Sequence, residues 1–100
     1  MGSDRMEERS WVIHGQVQGV GFRWATQRQA QSLGLDGWVR NEPDGTVRLR
    51  ARGRVDALES LEGWLHRGPP PAVVSEVERL GPAVHEAGEP VDAGGFRIRH

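Results

Sequence analysis

Apolar and polar positions along this chain change period several times, and each change marks an element. Trp11, Val12 and Ile13 form a short apolar run closed by His14 and Gly15, which predicts a strand over 11–14. Good helix formers then fill 22–33, with Phe22, Ala25, Ala30 and Leu33 near one face and Gly34 placed as the stop. Residues 36–41 predict a second strand, and Pro43-Asp44-Gly45 a turn, because Asp and Gly suit turn backbone angles. Clean alternation over 46–52 predicts a third strand, antiparallel to the second. Val55, Leu58, Leu61 and Leu65 recur at helical spacing, so 56–67 predicts a second helix, ended by Gly68 and three prolines. Residues 73–80 predict a fourth strand, 81–95 a loop rich in Gly, Pro and Glu, and 96–99 a short closing strand.

The order is βαββαβ with a tail strand. It predicts an α+β, ferredoxin-like sandwich: an antiparallel sheet with two helices on one face and a short C-terminal strand. Residues 1–9 are polar and predict a disordered N-terminal tail, with Met6 as an alternative start; 10–100 form one domain. At 100 residues the chain can bury one modest core without covalent staples.

Composition narrows the chemistry. There is no cysteine, which excludes disulfides, thiolate metal sites and a Cys nucleophile, and which suits a reducing cytoplasm. No apolar run approaches the length of a membrane span. The formal net charge of −1 argues against bulk attraction to nucleic acid or membrane. All thirteen basic residues are arginine, so no lysine is present for Schiff-base or P-loop chemistry. The four histidines (His14, His66, His85 and His100) show no metal-ligand spacing, and the carboxylates form no obvious magnesium site.

The stretch Gly15-Gln16-Val17-Gln18-Gly19-Val20-Gly21-Phe22-Arg23 carries the strongest signal. Glycines let successive backbone N–H groups point inward as an anion nest, a helix N-terminus adds partial positive charge, and Arg23 supplies a planar fork for phosphate or carboxylate oxygens. A second stretch, Gly37-Trp38-Val39-Arg40-Asn41, ends in the chain's only asparagine, just before a turn. Read singly, the glycines also fit a tight turn, Arg23 a solvated helix residue, and Asn41 a turn residue.

Together, in this order, the two stretches resemble the acylphosphatase family. Asp44-Gly45-Thr46-Val47, Gly68-Pro69-Pro70 and Phe96-Arg97-Ile98 support the resemblance, which runs from Trp11 to Ile98. It implies hydrolysis of a carboxyl–phosphate anhydride to a carboxylate and inorganic phosphate, without metal or other cofactor. It implies that Arg23 binds the phosphate, that Asn41 orients the attacking water, and that the loop through Gly15, Gln18, Gly19, Val20, Gly21 and Phe22 binds phosphate oxygens. The implied partner is a small acyl phosphate, with no membrane or nucleic acid, and the chain is expected to be a free, monomeric, cytoplasmic enzyme. Acylphosphatase-like domains also occur within larger proteins.

Arg48, Arg50 and Arg52 depart from the family, which often has acidic or neutral residues there. Strand alternation puts them on one face, opposite Val47, Leu49 and Ala51. The expectation is a solvated face balanced by Glu76 and Glu78 on a neighbouring strand. The alternative is a non-catalytic ferredoxin-like module binding RNA or another anionic ligand through this row. Sheet readers of RNA stack bases on aromatics, and this chain has no tyrosine and only Phe22 and Phe96, which disfavours it.

Overall fold

Residues 5–81 and 90–100 are described in the computed structural model. The order is β1 (Met6–Gln16), α1 (Phe22–Ser32), β2 (Asp36–Asn41), β3 (Val47–Arg54), α2 (Val55–Leu65), β4 (Val73–Arg79) and β5 (Phe96–Arg99). The strands form one sheet in the order β4-β1-β3-β2-β5.

Strand alternation builds the core. Trp11, Ile13, Val39, Val47, Leu49 and Ala51 are buried against Phe22 and Ala30 of α1 and Leu58, Leu61 and Leu65 of α2. Burying each large apolar side chain stabilises the fold by about 1.5–3 kcal/mol. The buried positions of α1 are Phe22, Thr26 and Ala30, so Thr26 takes the inward place that the apolar pattern gave to Ala25. No helix among the described residues is long and apolar enough to cross a membrane.

Three findings differ from the sequence reading. First, β1 begins at Met6: residues 6–9, expected within a disordered tail, pair with 51–54 of β3. The backbone ladder needs no apolar alternation, and the charged side chains find partners, as when Arg50 Nε donates to Glu8 Oε1 at 2.8 Å. Second, the sheet is mixed rather than purely antiparallel, because β5 joins the β2 edge in parallel, Gly37 opposite Phe96 through Arg40 opposite Arg99. Third, β1 lies between β3 and β4, so Glu76 and Glu78 cannot balance the arginines of β3. Of the expected loop over 81–95, residues 82–89, including His85, lie outside the described residues.

Candidate active site

The β1–α1 connection is pinned at both ends and open between them. Val17 is buried and anchors its start. Phe22 is buried at its end and packs on Trp64, with ring centroids 5.7 Å apart. Gly19 (φ 76°) and Gly21 (φ 79°) take left-handed backbone angles, which favour glycine. Gly21 caps α1 without a side-chain hydrogen bond. The helix therefore starts with first-turn N–H groups that no capping side chain satisfies.

Asn41 reaches the same place from the end of β2. A specific tie holds the two segments together: Gln18 Nε2 donates to the carbonyl oxygens of Glu42 at 2.8 Å and Thr46 at 2.9 Å. Those carbonyls belong to the turn that follows Asn41. The turn is itself fixed, since Glu42 N donates to Thr46 O at 2.9 Å. The Asp44 carboxylate accepts from Thr46 Oγ1 at 2.6 Å and Thr46 N at 3.0 Å. These bonds, the hydroxyl's first, hold the Asp44 carboxyl below its ordinary value.

A cleft of about 260 Å³ opens between these segments. Of the residues singled out from sequence, Gly19, Gly21, Phe22, Arg23 and Asn41 line it. Asn41 Oδ1 is buried and has no hydrogen-bond partner among the described residues. Arg23 makes no ion pair with a carboxylate among the described residues; its Nη1 lies 3.4 Å from Nδ1 of His100. In that contact the guanidinium can only donate.

The other expected loop residues do different work. Gly15 lies within β1, at an irregularity in the β1–β4 pairing, with φ 126°. A Cβ there would lie 2.1 Å from Val73 O, so this glycine permits close strand approach and stands off the cleft. Gln18 braces the loop, and the Val20 side chain packs against the core. The cleft also contains residues that motif reading did not assign: Val17, Ile98, His100 and Trp24, which was weighed only as a flank of the mouth. Ile98 and His100 come from the end of the chain, which only the parallel pairing of β5 brings beside the loop.

The arginine row of β3 is unlike the cleft. Arg50 is 8% exposed and bonded to Glu8, and Arg52 lies 3.7 Å from Asp36. Glu78 instead meets His14 at 3.0 Å. Glu8 and Asp36 match two of the three arginines, which leaves the row less free charge for a nucleic-acid backbone; Arg48 has no carboxylate partner among the described residues, and its Nε is buried without a hydrogen bond there.

The fold and cleft define a class: a ferredoxin-like α+β sandwich whose β1–α1 loop sets an arginine and an asparagine in one cleft. The acylphosphatase family model matches residues 9–98. The Acylphosphatase of Nitratidesulfovibrio vulgaris is 51% identical over 94 residues, covering 94% of this chain and 93% of that protein. That of Thermococcus kodakarensis is 56% identical over 66 residues, covering 66% of this chain and 72% of that protein. Among solved structures, an acylphosphatase from Coxiella burnetii superposes with a TM-score of 0.80 at 37% identity, covering 94% of this chain and 93% of that one. The chain belongs to the acylphosphatase family, a family of hydrolases.

Proposed function

We propose that the chain hydrolyses the carboxyl–phosphate bond of small acyl phosphates, with Arg23 and the loop N–H groups holding the phosphate and Asn41 aiming the water. The observation that carries this reading is the pairing, in one cleft, of an arginine without a carboxylate partner and a buried, unpartnered amide oxygen.

The chemistry needs little more. An acyl phosphate is an activated anhydride, and its leaving carboxylate is stable at neutral pH without a proton, so a general acid is dispensable. Transfer of the phosphoryl group calls chiefly for charge stabilisation and alignment. Arg23 answers the charge on the phosphoryl oxygens with a bidentate fork. The N–H groups of 19–22 add preorganised donors, as an oxyanion hole does. Asn41 Oδ1 accepts a hydrogen bond from the water, which turns the water's own lone pair toward phosphorus. The water oxygen bonds to phosphorus as the bond to the carboxylate oxygen breaks. An amide is a poor base, so the water's proton passes to a phosphate oxygen. Gln18 is a positioning residue, keeping the loop and the Asn41 strand end at a fixed separation.

The test is hydrolysis of benzoyl phosphate by the purified protein in excess chelator, in water enriched in ¹⁸O. The reading predicts turnover, with the label in inorganic phosphate. No hydrolysis above background, or label in benzoate, overturns it.

A further inference from the structure

Trp24 follows Arg23 directly and does not serve the core. It is 58% exposed, whereas the inward positions of α1 are Phe22, Thr26 and Ala30. An indole left mostly in water is held in place here: the Arg28 guanidinium, one helical turn on, lies over its ring at 4.8 Å. One face of the ring is thus occupied by its own helix.

Trp24 also borders two cavities. One is the cleft of Arg23 and Asn41. The other is a groove of about 470 Å³ between α1 and the segment following α2. Trp64, Pro69 and Pro70 form its far wall. The volume falls within the range of small-molecule sites, about 300–1,000 Å³, and its walls set Trp24, Trp64, Pro69 and Pro70 beside the polar Arg28, Gln29 and Ser32. Trp24 is the one residue that lines both the cleft and the groove.

In-line displacement dictates what emerges beside the phosphate. The leaving carboxylate must sit on the face of phosphorus opposite the water. Asn41 enters the cleft from β2, whereas Trp24 enters from α1. An acyl group that leaves on the α1 side, away from Asn41, would meet the indole first and then the proline and tryptophan wall of the groove. A flat apolar group gains an offset stack on the indole edge and free face, whereas a methyl group reaches neither wall.

We propose that Trp24 and the groove beside it bind the acyl end of the substrate, giving the enzyme a preference for aromatic over short aliphatic acyl phosphates. This rests on the acylphosphatase reading of the cleft. The measurement is kcat/KM for benzoyl phosphate and for acetyl phosphate in the wild type, Trp24→Ala and Trp24→Phe. Intrinsic reactivities cancel when the substrate ratio of each variant is divided by that of the wild type. In Trp24→Ala that ratio falls about tenfold, the scale of a lost aromatic stack plus its buried area. Trp24→Phe keeps it within about threefold, since a smaller ring still stacks. Inhibition by inorganic phosphate, which has no acyl end, shifts less than twofold. An unchanged ratio in Trp24→Ala, or equal losses on both substrates, overturns the proposal while leaving the phosphate site standing. A wild type that hydrolyses neither substrate overturns the reading of the cleft, and this proposal with it.

Discussion

The cleft and the open face of the sheet both display arginine, yet they present it in opposite states. On the open face, Arg50 is nearly buried and donates to Glu8 at 2.8 Å, with Arg52 beside Asp36. In the cleft, Arg23 has no carboxylate partner among the described residues, its Nη1 lying 3.4 Å from His100 Nδ1, and it shares its space with Asn41, whose Oδ1 has no hydrogen-bond partner among them. Three arginines in a row catch the eye in the sequence, but carboxylates already match two of them, whereas the cleft sets an arginine without a described carboxylate partner beside Asn41. A charge already matched by a carboxylate contributes to stability, and an unmatched one is available to a ligand.

That contrast can be broken most sharply at Arg23. Replacing it with alanine should reduce kcat/KM for benzoyl phosphate by about 10³-fold or more, the scale of losing a principal charge stabiliser. The thermal midpoint should stay close to that of the wild type, because no described ion pair is lost. Arg50→Ala should do the reverse. It removes a charged hydrogen bond and a buried stem, for about 1–3 kcal/mol of stability by denaturant unfolding. Activity should remain within about twofold, since a nearly buried arginine paired to Glu8 touches no substrate. An Arg50→Ala protein of normal stability and lost activity would return the open face to contention as the working surface.

A smaller effect sharpens the comparison through a third arginine. Glu62 on α2 accepts from Trp11 Nε1 and Arg79 Nε, both at 3.1 Å. Burial alone would raise its carboxyl, but the bonds from Arg79 and Trp11 outweigh it and leave the group below its ordinary value. A carboxyl depressed in the folded state contributes stability that is complete above its unfolded value, about 4.3. The contribution is lost as pH falls through the lower folded value. Chemical denaturation followed from pH 7 down to the acid limb should therefore show a decline that Glu62→Gln flattens. An unaltered acid limb in Glu62→Gln would show that this matched arginine contributes nothing titratable.

The elements were legible where side chains alternate between core and solvent, as along β3 and α2. They were hidden where pairing is carried by backbone and charge alone, as at 6–9, or where the partner lies far along the chain, as with β5. The same division runs through the site. Gly19, Gly21, Arg23 and Asn41 stand in two short motifs, and all four line one cleft. Gly15 belongs to the motif but not to the cleft, because its freedom serves the approach of β4. Ile98 stands in a supporting stretch that was given no part in the site, and His100 in none; the tertiary pairing of β5 with β2 brings both in. Trp24 is invisible to core periodicity for the reason it matters here: it faces outward.

Asn41→Ala tests the division of labour between holding the phosphate and aiming the water most directly. Benzoyl phosphate turnover and competitive inhibition by inorganic phosphate are measured on the same preparation. The account predicts that kcat falls by about 10²-fold or more, the typical loss of a transition-state positioner, while the phosphate inhibition constant stays within about threefold. Normal turnover in the variant, or a loss of phosphate affinity as large as the loss of kcat, would contradict it.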